Sequence, residues 1–172
     1  MDKKILFADL DGTLIETISG STFPKGIWDM KFKFDVINKI KELGFECLII
    51  ITNQGGIENG FVNERNFTKG KMNFIVMGLE EYLGIPVDYN YCSSNDKENH
   101  FRKPNIGMLN AACKNVIENR FHMKSNKRNM LMIGDASGKE GQFSDSDKKT
   151  AENFGIEYMD IYDFVNYREE EL

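Results

Sequence analysis

This chain lacks a long apolar run, a cysteine framework and an excess of positive charge. Its 172 residues include three cysteines, three prolines, two histidines and one tryptophan, against thirteen phenylalanines. Cys47, Cys92 and Cys113 are odd in number and widely spaced, with no C-x-x-C pair. That excludes a disulfide scaffold and predicts a reducing intracellular compartment, cytoplasm or nucleus. Apolar stretches such as residues 47–51 fall far short of the ~20 residues of a membrane span, so no membrane contact is expected. Met1-Asp2-Lys3-Lys4 leads into an apolar run shorter than the ~7–15 residues of a signal peptide. Acidic residues outnumber basic ones 27 to 22, for a net charge of −5. Proteins that coat nucleic acid are usually basic, so a polyanion here is expected only at a local site.

What is present is ordinary globular material. Hydrophobic residues make up 41% and charged residues 28%, which excludes a disordered chain, a collagen-like repeat and a coiled coil. At roughly 150 residues per domain, the length predicts one domain over residues 1–172. Residues 4–9, 45–51 and 129–133 read as short apolar strands without alternation, the pattern of a parallel sheet covered on both faces. Between them, Phe34, Ile37, Ile40 and Leu43 recur at helical spacing before the stop at Gly44. Phe67, Phe74, Ile75, Leu79 and Tyr82 mark a helix over 64–83, closed by Gly84 and Pro86. Met108, Leu109, Ala112 and Val116 mark another over 105–121, with shorter ones expected over 146–154 and 162–167. The alternation predicts an α/β fold with a doubly wound parallel sheet. Residues 93–100 and 125–129 read as exposed loops, and 16–33 as a hairpin or flap too short to be a domain.

Ligands of such sheets bind outside the carboxyl ends of the strands, and all three predicted strands end in polar residues. The first delivers Asp9-Leu10-Asp11-Gly12-Thr13. Two carboxylates so placed suit Mg²⁺, a hard cation that prefers oxygen ligands; alone, Asp-Gly would read as a turn. Thr52-Asn53 follows the second strand, Lys103 lies in Arg102-Lys103-Pro104 before the third helix, and Gly134-Asp135 ends the third strand. Asp145 and Asp147 follow a short loop later. An acid at a helix start also gains ~0.3–1 kcal/mol from the helix dipole, so either could be there for that alone.

Acid pair, hydroxyl, lysine and second acid group in this order resemble the haloacid dehalogenase superfamily of phosphotransferases over about residues 5–165. The resemblance implies a Rossmann-like core, capless or with a small flap hairpin. It implies Asp9 as nucleophile forming an aspartyl-phosphate, and Asp11 as acid to the leaving oxygen and then base to water. Thr52, the Asn53 backbone and Lys103 would hold the phosphate. Mg²⁺ would be held by Asp9, the Asp11 carbonyl, Asp135 and a further acid, with Asp147 favoured over Asp145. Finer wording is similar to the phosphatase domain of the polynucleotide kinase 3′-phosphatase family: Thr52-Asn53-Gln54-Gly55-Gly56-Ile57, Phe101-Arg102-Lys103-Pro104 and Ile133-Gly134-Asp135-Ala136-Ser137-Gly138-Lys139, then Ser146-Asp147. That implies removal of 3′-phosphate from DNA ends in strand-break repair. The protein would be a monomer beside separate kinase or ligase enzymes, since no GxxxxGK[ST] loop is present.

The rival is the sugar and histidinol phosphatase branch, which shares these stretches but carries a Cys/His zinc loop before the lysine motif. Here that loop offers only Cys92 and His100, short of the four ligands of a structural zinc site. A non-catalytic binding module is a third reading, disfavoured by the intact motif set. For nucleic acid, Arg65, Lys69, Lys71, Arg102, Lys139, Lys148 and Lys149 are candidate backbone contacts or a solvated face. Phe23, Trp28, Phe32 and Phe61 are candidates to stack on a terminal base, Trp28 foremost because it lies in the flap. His100 and His122 read as surface residues.

Overall fold

The computed structural model describes residues 3–168. Its centre is a five-stranded sheet in the order β5-β4-β1-β6-β7, formed by β1 (Ile5–Ala8), β4 (Cys47–Asn53), β5 (Val87–Cys92), β6 (Met130–Gly134) and β7 (Glu157–Asp160). All four pairings are parallel. The chain builds outward from β1 to β4 and β5, then returns to lay β6 and β7 on the other side of β1. Strand order therefore reverses at β1, which is where open parallel sheets leave a crevice for ligands.

The apolar runs explain why both faces are covered. Within them, alternate side chains go to opposite faces. Leu6, Ala8, Leu48, Ile50, Leu131 and Ile133 join one core cluster with Val36, Ile37 and Ile40 of α1 (Phe34–Leu43). Ile75, Leu79 and Leu83 of α2 (Asn73–Leu83) and Phe164 of α5 (Ile161–Asn166) complete that layer. Ile5, Phe7, Cys47, Ile49, Ile51, Met130 and Met132 join the opposite cluster. There they meet Met108 and Leu109 of α3 (Gly107–Ala111), and Ala151 and Phe154 of α4 (Ser146–Phe154). The doubly wound α/β sheet expected from the sequence is what the chain forms.

Three departures from expectation have local causes. β5 and β7 are the sheet edges, and their half-buried, polar sequences carry no continuous apolar run; edge strands that face solvent generally lack one. The helix expected over 64–83 is π-helical over Asn66–Met72 before α2 begins, and α3 passes into a π-helical stretch over Ala112–Glu118. Apolar spacing of three and four residues does not distinguish these wider turns from an α-helix.

Residues between β1 and α1 form the expected hairpin, with β2 (Ile15–Glu16) antiparallel to β3 (Lys31–Phe32). The hairpin leans on α2 and the turn before it. A β-carbon at Gly70 would lie 3.5 Å from Ile27 and 3.9 Å from Trp28, and one at Gly78 would lie 3.7 Å from Phe32. Between these glycines Phe74 takes the Trp28 ring edge-on at 5.8 Å and stacks on Phe32 at 6.2 Å. Gly70, Phe74 and Gly78 thus form a seat at i, i+4, i+8 spacing. Because Trp28 is the only tryptophan, it reports on this contact. Phe74→Ala is expected to increase quenching of its fluorescence by acrylamide, and to cost about 1 kcal/mol of stability, in the range of an aromatic pair. Urea titration with fluorescence readout measures both.

Candidate active site

The register of the sheet assembles the site. Ala8 is level with Ile50 on one side and Ile133 on the other, so Asp9, Thr52 and Asp135 emerge together at the carboxyl ends of β1, β4 and β6. Asp9 is buried, and its backbone N–H donates to the Ile133 carbonyl at 3.1 Å. The chain then turns sharply at Gly12, whose φ of +88° suits glycine. A β-carbon there would fall 2.0 Å from the Asp135 carboxylate, so the second acid can approach only because this residue has no side chain. Thr13, fully buried, directs its hydroxyl to Asp9 at 3.4 Å.

Lys103 is the central cation. Its Nζ donates to Asp9 Oδ1 and to Asp147 Oδ1, both at 2.6 Å, with its side chain 3% exposed. Asn53 aligns it: the Asn53 amide donates to the Lys103 carbonyl at 3.2 Å, and the Lys103 N–H donates to Asn53 Oδ1 at 2.9 Å. The sequence assigned Asn53 a backbone role; its side chain is occupied with this clamp. Asp147 also accepts the Ala136 N–H at 3.1 Å. Gly134 makes room for it, since a β-carbon there would lie 2.3 Å from Asp147 Oδ2.

Carboxylate oxygens of Asp9, Asp135 and Asp147 lie within 4.8 Å of one another, the one such group of three among the described residues. Asp145 and Asp147 differ in their surroundings. Asp147 joins the group, whereas Asp145 precedes α4 and pairs with Lys149 at 2.7 Å. Burial pushes the Asp9 carboxyl up to about 8, and Asp147 and Asp135 push the same way while Lys103 opposes them. Burial, then Asp147, raises Asp135 as well. Burial alone would lower Lys103, but Asp147 and Asp9 outweigh it and hold the ammonium above its ordinary range.

Asp11 lies on the open side, 46% exposed, with Gln54 Nε2 at 2.8 Å from Oδ2 and Lys71 Nζ at 3.4 Å from Oδ1. Gln54 also donates to Thr52 Oγ1 at 2.9 Å, tying the acid to the hydroxyl. Lys71 is a correction to the sequence reading, which left it as a candidate backbone contact or part of a solvated face. It is buried, and the signal for this was present: it interrupts the apolar stripe Phe67, Ile75, Leu79 at i+4 spacing.

The other candidates divide. Arg65 and Lys69 are exposed and line an open cleft of about 700 Å³ with Glu64, Thr68 and Tyr91. Lys139 pairs with Asp163 at 2.7 Å, Lys149 with Asp145, and Lys148 with Glu152 at 3.9 Å. Arg102 donates to the Ser94 carbonyl at 2.8 Å. Trp28 and Phe32 are engaged in seating the flap, while Phe23 and Phe61 are largely exposed. The loop where the rival branch has its zinc is braced by amides. Asn95 donates to the Gly55 carbonyl and Asn59, and Glu58 accepts from Ser94 and Asn95. His100 and His122 are exposed. The loop after β6 is braced by Gln142, which accepts from Ser137 and donates to Asp160 at 2.7 Å. The sequence reading did not single out Gln142.

Comparison with known proteins agrees with this architecture. The sequence matches the family described as "Polynucleotide kinase 3 phosphatase" over residues 4–164. It is 34% identical over 159 residues to a bifunctional polynucleotide phosphatase/kinase of Schizosaccharomyces pombe, covering 91% of this chain and 36% of that protein. It is 26% identical over 154 residues to a D-glycero-beta-D-manno-heptose-1,7-bisphosphate 7-phosphatase of Haemophilus ducreyi, covering 80% of each. Among solved structures, a D,D-heptose 1,7-bisphosphate phosphatase of B. bronchiseptica, complexed with magnesium and phosphate, superposes with a TM-score of 0.66 at 18% identity. It covers 90% of this chain and 78% of that one.

The raised Asp9 carboxyl has a measurable consequence. The folded protein retains this proton up to about 8, whereas the ordinary carboxyl value is 3.8. Between these values the folded state binds more protons, so stability contributed by Asp9 falls as pH rises. In EDTA, the melting temperature of the wild type is expected to fall more steeply from about pH 5 to pH 8 than that of Asp9→Asn, and Mg²⁺ is expected to remove the difference. Differential scanning calorimetry across pH tests this. By its fold and its sequence, the chain belongs to the polynucleotide kinase 3′-phosphatase family of phosphatases with the haloacid-dehalogenase-like core.

Proposed function

We propose that this protein is a Mg²⁺-dependent phosphomonoesterase of a single domain that removes 3′-phosphate from DNA ends, through an aspartyl-phosphate on Asp9. The observation that carries the chemistry is the trio Asp9, Asp135 and Asp147, with Asp9 and Asp147 buried and paired to Lys103 and Asp135 half-buried beside them. Three carboxylates gathered about one directly paired ammonium, with Lys33 acting on Asp135 from further off, crowd like charge in a largely buried site, which favours a further cation. The donors are all oxygens, which suits Mg²⁺. Asp9, Asp135 and the Asp11 carbonyl would hold it, with Asp147 beside them. When bound, it would supply charge neutralisation for an anionic nucleophile meeting an anionic phosphate.

Asp9 attacks phosphorus, forming the Asp9–phosphorus bond as the ester bond breaks. The leaving oxygen takes a proton from Asp11, which then serves as base to the water that releases phosphate and regenerates Asp9. Thr52 and the Asn53 backbone hold phosphate oxygens. Lys103 stabilises charge on the transferring group, its Asn53 clamp fixing it in place.

Support for a DNA end over a small phosphate ester comes from the family match and the S. pombe relative. Two features of the fold agree with it. The insertion after β1 is a hairpin of two two-residue strands, leaving the Asp11 side open to a bulky substrate. Arg65 and Lys69 line a cleft beside β5, where they can meet backbone phosphates. The second reading, a sugar-bisphosphate phosphatase, is supported by the similarity to the H. ducreyi enzyme.

A competition assay with Mg²⁺ separates them. A 3′-phosphorylated oligonucleotide annealed at a nick is expected to be hydrolysed at least about a hundredfold more efficiently than heptose or other sugar bisphosphates, with a salt-sensitive KM. Asp9→Asn is expected to lose about 10⁴-fold or more. Preference for the sugar phosphates would leave only the shared phosphatase chemistry standing.

A further inference from the structure

We infer that Lys71 is a positioning residue for Asp11, holding its carboxylate on the leaving-group side of the site. The inference rests on the reading of Asp11 as general acid and base given above. Lys71 is 4% exposed, although a lysine normally carries its ammonium out to water. It occupies the core-facing stripe Phe67, Lys71, Ile75, Leu79, where a leucine or methionine would pack without burying charge. Its Nζ has one partner among the described residues, Asp11 Oδ1 at 3.4 Å. A charge kept where the core would favour an apolar residue points to a task at that carboxylate rather than to stability.

The geometry says what the task is. Asp11 is half exposed and sits beside Gly12 in a tight turn, so its own loop does little to fix the side chain. Two donors from separate elements hold its two oxygens: Gln54, just beyond β4, takes Oδ2, and Lys71, from the π-helical stretch before α2, takes Oδ1. Gln54 continues to Thr52 Oγ1, so the carboxylate is referenced to a residue proposed to hold the phosphate. Losing one holder lets the carboxylate rotate away from the ester oxygen, and small misplacements of a reacting group are costly. In the affected step the Asp9–phosphorus bond forms, the phosphorus–oxygen bond to the alcohol breaks, and the departing oxygen takes the Asp11 proton. The need for that proton grows as the leaving alcohol becomes less acidic.

The test is kcat/KM, which reports the steps up to aspartyl-phosphate formation, across p-nitrophenyl, phenyl and benzyl phosphate. With Lys71→Met, the loss is expected to stay within about threefold on p-nitrophenyl phosphate and to reach roughly tenfold to a hundredfold on benzyl phosphate. Lys71→Arg is expected to recover part of it. The melting temperature of Lys71→Met is expected to match or exceed the wild type, so activity and stability move in opposite directions. A loss equal across the series, a loss confined to KM, or no loss would each overturn the assignment. Should Lys71→Met fail to fold, Lys71→Gln carries the same series under the same criteria. Asp11→Asn run alongside separates the two levels. If it too loses activity uniformly, the reading of Asp11 has failed and this inference with it. If Asp11→Asn shows the leaving-group dependence and Lys71→Met does not, only the inference has failed.

Discussion

The bridge from Lys103 to Asp9 and Asp147 is the interaction on which the rest of the site depends. It joins three separate elements: the end of β1, the segment before α3 and the start of α4. Burying a lone carboxylate or a lone ammonium is expensive. Here the Lys103 ammonium lies 2.6 Å from an oxygen of each acid, so the two carboxylates share one buried counter-charge. Asn53 fixes the lysine's backbone, and the Ala136 N–H fixes the second acid, so the bridge is held from outside as well as within. Burial, with Asp147 and Asp135 adding to it, still outweighs Lys103 and keeps the Asp9 carboxyl raised.

Around this bridge the fold keeps the Asp9 side of the site packed and the Asp11 side open. Asp9, Thr52 and Asp135 stand at the ends of buried strands, where neighbouring side chains leave little freedom. Asp11 and its two holders lie on the exposed flank, and the hairpin beside it is seated by Gly70, Phe74 and Gly78 rather than by a domain of its own. The same seating explains why Trp28, the foremost stacking candidate by sequence, is already an anchor. Its ring stays about half exposed while making an edge-to-face contact with Phe74.

Much of this was legible before the structure. The three central strands announced themselves because a strand buried on both faces must be apolar throughout, and their last residues named the chemistry. The edge strands did not. Val87–Cys92 and Glu157–Asp160 are stabilised by pairing with a single neighbour, and half their side chains meet solvent or helices, so no apolar run marks them. Asp147 was favoured over Asp145 on a resemblance, and what the structure adds is that its carboxylate lies within 4.8 Å of those of Asp9 and Asp135. Lys139, Lys148 and Lys149 looked equivalent to Arg65 and Lys69 in sequence, yet the first three face carboxylates and the other two line a cleft.

Fold class, the order of the motif residues and the family could be read along the chain, because apolar runs and short polar motifs are properties of neighbours in sequence. Only the tertiary structure decided that Lys71 turns inward to Asp11, that Gln54 links Asp11 to Thr52, and that Asn53 uses its side chain to clamp Lys103. The physical reason is separation. The contacts to Asp11 and Lys103 join residues 43 to 60 positions apart, and nothing local in the chain encodes where such partners will meet.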